Sequence, residues 1–136
     1  MGRLVIASNR TATPGAPRAG GLAVALADAL AERGGGLWFG WSGEVDEREQ
    51  RGIRLVTDAG VDFALADLTA AEHEQYYLGY ANRTLWPVFH YRVDLAAFDE
   101  ASFDAYESVN RRFGRLLAGL TKPGDMVWLH DYHFLL

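Results

Sequence analysis

A doubly wound α/β domain, cut short, is the fold this sequence predicts, and three observations carry the prediction. Short continuous apolar runs stand at residues 4–7, 37–41 and 126–129, the pattern of strands buried on both faces of a parallel sheet. Residues 21–33 and 102–120 instead repeat apolar side chains at helical spacing, which lays one stripe along each helix. Glycine and proline clusters separate the two kinds of segment, and strands alternating with helices build a layered α/β domain.

Taken in order, residues 4–7 form the first strand, and Ser8, Asn9 and Arg10 leave it. Residues 11–20 contain Pro14, Gly15, Pro17 and Gly20 and predict a mobile, irregular loop. In the helix that follows, Leu22, Ala25, Leu26, Ala29 and Leu30 share a face, and Gly34-Gly35-Gly36 ends it. The second strand, 37–41, runs into an acidic loop at 44–49. Residues 53–57 and 61–65 read as short strands whose Asp58-Ala59-Gly60 connection resembles a hairpin. Thr69 followed by Glu72 is a capping-box pattern that starts a short helix toward Tyr77.

Residues 76–91 are unusually aromatic, and neither a helical nor a strand period accounts for them. The long helix, 102–120, presents Phe103, Tyr106, Val109, Phe113, Leu116, Leu117 and Leu120 on one face. Lys122-Pro123-Gly124-Asp125 breaks it before the last strand, Met126-Val127-Trp128-Leu129, which is expected to be buried. A strand and its polar tail are an unnatural finish for an autonomous fold, because covering elements would be missing. The expectation is therefore one incomplete domain, residues 1–136, of a larger enzyme.

Bulk properties narrow the function classes. The 136 residues suffice for one domain with a real core, and 49 % hydrophobic with 23 % charged residues is ordinary globular composition. A net charge of -5 opposes nonspecific attraction to nucleic acid or to anionic membranes, so any anionic ligand must be held by local arginines. Cysteine is absent, which removes thiolate chemistry and fits a cytoplasmic protein. The apolar start is too short for a secretory signal, and no stretch is long enough to span a membrane.

Three constellations can carry chemistry. Ser8-Asn9-Arg10 and Gly20-Gly21 flank the first strand-to-helix junction. Glycines at a helix start let backbone N–H groups approach a phosphate, and Arg10 can add a bidentate clamp. The spacing is not G-x-G-x-x-G, so the dinucleotide fingerprint does not apply, and a plain turn with a solvated Arg10 is the bland alternative. The aromatic segment around Tyr77 and Trp86 suits a sugar ring, whose apolar face stacks on aromatics, although core packing explains most single rings. Third, His130-Asp131-Tyr132-His133 follows the last strand, where α/β sheets place ligands. Asp131 can accept sugar hydroxyls or a proton, or cap a following helix while His130 packs in the core. A metal site is disfavoured, because strand alternation points His130 and Asp131 to opposite faces and further ligands are missing.

In order, the blocks Leu4-Val5-Ile6-Ala7-Ser8-Asn9-Arg10, Gly20-Gly21-Leu22-Ala23-Val24, Gly36-Leu37-Trp38-Phe39-Gly40-Trp41-Ser42-Gly43, Leu85-Trp86-Pro87-Val88-Phe89-His90-Tyr91-Arg92 and Trp128-Leu129-His130-Asp131-Tyr132-His133 resemble the N-terminal part of the trehalose-6-phosphate synthase family. The resemblance covers nearly the whole chain. It implies the N-terminal Rossmann-like, acceptor-side domain of a two-domain GT-B glycosyltransferase, with the nucleotide-sugar domain lying outside this sequence. The implied reaction moves glucose from UDP-glucose, or another nucleoside diphosphate glucose, to glucose 6-phosphate with retention.

By the same resemblance Arg10 holds the acceptor phosphate, with Tyr77 near it. Trp86 and Trp41 shape the pocket, and Asp131 contacts the sugar and is the candidate catalytic residue. Gly20 and Gly21 approach the diphosphate of the donor. No cofactor or metal is implied, and the full-length enzyme is open to forming a homo-oligomer. The 136-residue chain alone is expected to be inactive, since the principal Arg and Lys groups of the family's donor site and a further histidine lie beyond it. Two alternatives stand beside this reading: a noncatalytic sugar-phosphate-binding module, and a related enzyme that couples cyclitols. Retention of Arg10, Tyr77, Trp86 and Asp131 together favours the sugar-phosphate branch.

Overall fold

The computed structural model describes residues 2–136. A five-stranded sheet of order β3-β4-β2-β1-β5 forms the middle layer, from β1 (Leu4–Arg10), β2 (Gly36–Val45), β3 (Ile53–Asp58), β4 (Val61–Leu68) and β5 (Met126–Leu129). β4, β2, β1 and β5 are parallel, and β3 joins β4 antiparallel. Leaving β1, the chain moves to β2 on one side. After β4 it returns to β5 on the other, so the strand order reverses at β1 and opens a crevice at the strands' carboxyl ends.

Each face of the sheet carries its own core. Leu4 and Ile6 of β1 point with Trp38 and Phe63 toward Leu26, Ala27 and Leu30 of α1 (Gly21–Glu32). Val5 and Ala7 point with Phe39, Trp41 and Ala64 toward Tyr106, Val109 and Phe113 of α4 (Glu100–Leu120). The alternation follows from the two-residue period of a strand. Leu22 and Ala25 of the expected α1 stripe are exposed and Ala27 is buried instead, so the buried face is Leu26, Ala27 and Leu30.

The turns behave as their residues dictate. Ala59 and Gly60 both have positive φ, 50° and 78°, as a two-residue hairpin requires. The 11–20 loop is irregular as expected and is pinned at two points. The Thr11 amide donates to the Trp41 carbonyl at 3.0 Å, and the Gly15 amide to Asp58 Oδ2 at 3.0 Å.

The largest departure from expectation lies between β4 and α4. Thr69 and Glu72 form the capping box, each side chain accepting the other's backbone N–H. The helix they start does not end near Tyr77. It opens as α2 (Ala70–Glu72), continues as a π-helix over His73–Leu85 and closes as α3 (Trp86–Phe89). A π-helix bonds residue i to i+5 and so turns more slowly than an α-helix, and its buried residues are Tyr76, Gly79, Ala81 and Thr84. That spacing matches neither of the ordinary periods, which is why the aromatic segment showed none.

Glu72 also accepts from Arg51 and Arg112, each at 3.0 Å, and Arg112 donates to the Asp67 carbonyl at 2.9 Å. The start of the helix is thereby tied to β4 and to α4. The other departure is β5, whose four residues are all exposed. As the edge strand it pairs with β1 alone.

Gly79 marks the crossing of the π-helix and α4. A Cβ there would sit 2.7 Å from the Ser102 hydroxyl and 3.2 Å from the Glu74 carbonyl. Gly79→Val should therefore cost about 1–3 kcal/mol by overpacking, read as a lower urea midpoint with unchanged slope. An unchanged midpoint would mean the two helices do not meet this closely.

Candidate active site

The candidate side chains come from the carboxyl ends of four parallel strands. Arg10 ends β1, Trp41 lies near the end of β2, the π-helix follows β4, and His130 to His133 follow β5. Arg10 lies with its guanidinium carbon 5.7 Å from the centre of the Trp41 ring. Gly43, at φ 93°, leaves the room for it, since a Cβ there would come within 2.7 Å of an Arg10 nitrogen. No carboxylate among the described residues pairs with Arg10, so its charge is available to a ligand.

From Arg10 a line of rings crosses the site. Trp41, held by its indole N–H donating to the Glu44 carbonyl at 2.7 Å, meets His73 at 5.0 Å and Tyr77 at 6.2 Å. Tyr77 meets His133 at 5.9 Å, His133 stacks on Tyr132 at 4.6 Å, and Tyr132 reaches Phe89 of α3 at 6.1 Å. The family resemblance brought Arg10, Trp41, Tyr77 and the post-β5 cluster into one hypothesis, and the fold places them along one path. Trp86 stands apart from the line. It is exposed and stacks on His90 at 4.1 Å.

Asp131 caps no helix among the described residues. Its φ is 65° and its Oδ1 accepts the Tyr132 amide at 3.0 Å. Aspartate tolerates left-handed backbone better than most residues, and such strain collects at functional sites. Its carboxylate is exposed, hence open to solvent and to hydroxyls. Among the described residues no three His, Asp or Glu side chains gather as a metal-ligand set.

Gly20 and Gly21 line a different part of the cleft, a cavity of about 510 Å³ that Arg10 and Arg18 also border. Gly20 has φ 93°, and neither glycine has a neighbour within 4 Å of a notional Cβ. The helix start lacks a side-chain cap and an acidic residue in its first turn, which leaves its N–H groups and dipole facing open space.

With this geometry in hand, likeness to known proteins is decisive: residues 5–136 match glycosyltransferase family 20. The chain belongs to that family. It is 49 % identical over 136 residues to the trehalose-6-phosphate synthase of Sinorhizobium fredii, a match covering 97 % of this chain and 29 % of that protein. The crystal structure of an alpha,alpha-trehalose-phosphate synthase (UDP-forming) from Burkholderia vietnamiensis superposes with a TM-score of 0.89 at 47 % identity, covering 99 % of this chain and 30 % of that one. A Burkholderia xenovorans synthase in complex with glucose-6-phosphate gives 0.86 at 46 % identity, with 98 % and 30 % covered. The fold is the Rossmann-like α/β architecture of these GT-B enzymes, and the chain spans under a third of the length of the relatives it matches.

Several residues that shape the candidate site carry weak sequence signals. Asn9 is buried, and its Oδ1 accepts from the Tyr76 hydroxyl at 2.7 Å. His73 joins the ring line. Asn110 and Tyr106 of α4 hold the segment after β5. Tyr106 donates to the Tyr132 carbonyl at 2.7 Å and Asn110 to the His133 carbonyl at 3.1 Å. An asparagine beside a helix's apolar stripe was the one available clue.

Burial dominates the electrostatics of the tail. It pushes the Tyr132 hydroxyl up to about 12, with Asp131 adding to the shift. It pulls His133 down to about 4, against the opposing pull of Asp131, so the imidazole is neutral at pH 7. Unfolded, the same ring titrates near 6.5. The unfolded chain thus binds the proton more readily, so the stabilisation is whole above pH 6.5 and is lost as pH falls toward 4, by roughly 3 kcal/mol. His133→Phe should flatten the fall of the urea midpoint between pH 7 and 4, whereas identical slopes in both proteins would assign the acid sensitivity to other groups.

Proposed function

We propose that this chain supplies the acceptor side of a retaining glucosyltransferase that joins glucose from UDP-glucose to glucose 6-phosphate, giving trehalose 6-phosphate and UDP. The observation that carries the reading is Arg10, a guanidinium left without a carboxylate at the head of the ring line that runs to the Asp131 segment. A phosphate monoester on Arg10 gains charge-assisted, bidentate hydrogen bonds. Tyr77 adds a hydroxyl beside it, and the sugar ring then extends along Trp41 and Tyr77 toward Asp131, with Trp86 bounding the pocket. The Burkholderia xenovorans relative was solved with glucose-6-phosphate, which supports this assignment.

In the proposed reaction the bond from the donor's anomeric carbon to the UDP oxygen breaks. A new bond forms from that carbon to the anomeric oxygen of glucose 6-phosphate, on the same face. Negative charge grows on the leaving diphosphate, and fixed positive groups must meet it. Gly20 and Gly21, at the start of α1, offer N–H donors and the positive end of the helix dipole. Asp131 takes the role of hydroxyl acceptor, orienting the incoming sugar, and the proton of the reacting anomeric hydroxyl passes to the departing diphosphate oxygen. Phosphorylated sugar substrates place the reaction in the cytoplasm.

In the longer protein that carries this segment, Arg10→Ala should weaken glucose 6-phosphate binding by about 1.5–3 kcal/mol, followed as the acceptor dependence of UDP release. Unchanged acceptor affinity would refute the role of Arg10. The 136-residue chain by itself should release no UDP from a mixture of UDP-glucose and glucose 6-phosphate. Steady turnover by it would show that the acceptor side suffices for catalysis and would overturn the division of labour proposed here.

A further inference from the structure

Arg10 points the wrong way for a residue of a regular strand. In β1, Leu4 and Ile6 face α1 while Val5 and Ala7 face α4, so alternation would send Arg10 toward α1 along with Ser8. Its guanidinium instead lies over Trp41, a ring of the α4 face. The pairing of β1 with β2 supplies the reason. Residues 4–8 match residues 36–40 one to one, after which Arg10, not Asn9, stands opposite Trp41. Asn9 is thus the extra residue of a β-bulge, a feature that re-aims side chains and is rare between parallel strands.

Buried hydrogen bonds hold the bulge. The Ser8 hydroxyl donates to the Arg10 carbonyl at 2.8 Å, and the Trp38 indole N–H donates to the Ser8 oxygen at 2.8 Å. Ser8 and Trp38 are both buried, each 1 % exposed. A serine hydroxyl has one proton to give, and the indole N–H engaged on its oxygen leaves that proton for the Arg10 carbonyl. On the opposite face Asn9 accepts from the Tyr76 hydroxyl at 2.7 Å, and just past the bulge the Thr11 amide donates to the Trp41 carbonyl. The turn is thereby fixed from both faces, and Ser8 bonds the backbone of Arg10 itself.

We propose that Ser8 is a positioning residue for Arg10: oriented by Trp38, its hydroxyl keeps the bulge that presents the guanidinium to the acceptor phosphate. The inference rests on the reading of Arg10 given above and adds to it a buried residue that acts through Arg10. A strand without the bulge would carry Arg10 opposite Ser42 and turn it to the α1 side, since a slip of one residue exchanges the two faces. The ring line from Trp41 to Tyr77 would then lose its cation. Removing the Ser8 hydroxyl frees the Arg10 carbonyl and widens the directions its guanidinium samples. The cost falls on acceptor affinity, because the donor and the transfer step do not depend on where this guanidinium points.

The test is a double-mutant cycle in the longer protein that carries this segment. Ser8→Ala should raise the KM for glucose 6-phosphate about tenfold, with kcat and the KM for UDP-glucose each within about twofold of wild type. Ser8→Thr, which keeps a hydroxyl, should recover most of the loss. Placed on Arg10→Ala, the same Ser8→Ala should change the acceptor KM by less than about twofold, because the group it positions is gone. If Ser8→Ala does not fold, Ser8→Cys takes its place, a weaker donor that should shift the acceptor KM in the same direction. An equal increment in both backgrounds, or a parallel rise in the KM for UDP-glucose, would make the role of Ser8 purely structural and overturn the proposal. So would an unchanged acceptor KM in Ser8→Ala while Arg10→Ala weakens the acceptor, an outcome that leaves the reading of Arg10 standing. No effect of Arg10→Ala on the acceptor would remove both.

Discussion

Two side chains on α4, Tyr106 and Asn110, set the position of everything that follows β5. The Tyr106 hydroxyl donates to the Tyr132 carbonyl and accepts from the Leu135 amide, while Asn110 donates to the His133 carbonyl and accepts from the Leu136 amide. Four backbone groups of an irregular segment are thus satisfied from one helix face. Without them the segment would have to carry unpaired polar groups into the core or leave it for water. Leaving would remove Phe134 from Tyr76 and Phe113, and with it the packing that brings Tyr132 and His133 against Tyr77.

A second constraint couples the two ends of the proposed acceptor site. Tyr76 and Asn9 share a buried hydrogen bond, and each is the chain neighbour of a proposed ligand-binding residue, Tyr77 and Arg10. Fixing the inner pair fixes the outer one, with Trp41 lying between them in ring contact with both. The π-helical pitch makes the arrangement possible. Tyr76 and Ala81 face the core while Tyr77 and Tyr80 sit at its margin, so adjacent residues serve the core and the cleft.

Much of this was legible in the sequence, and the failures have physical causes. Strands β1, β2 and β4, the hairpin, the capping box and α4 were all readable from apolar period and turn chemistry, because each is local. Arg10 and the cluster after β5 were nominated from residue type at strand ends, Tyr77 from its aromatic segment and Trp41 from the family resemblance, and the topology brings them together. The extent of the aromatic helix was hidden because an i to i+5 ladder produces a period no ordinary template contains. The exposure of β5 was hidden as well. Its apolar run describes a strand suited to burial on both faces, while strand order leaves it at the sheet edge. Asn9 and Asn110 act through partners 67 and 23 residues away, separations that no pattern within the sequence reports.

Charge placement then explains how an acidic chain can hold anions. Its arginines are mostly committed. Arg3 pairs with Asp125, Arg48 with Asp46, Arg54 with Asp67, and Arg51 and Arg112 share Glu72. These pairs cancel locally, leaving little field beyond about a Debye length. Arg10 and Arg18 escape this cancellation, and both border the same cleft at the start of α1. In the proposed reading, selectivity for phosphorylated ligands comes from which guanidiniums the fold leaves unpaired, not from net charge.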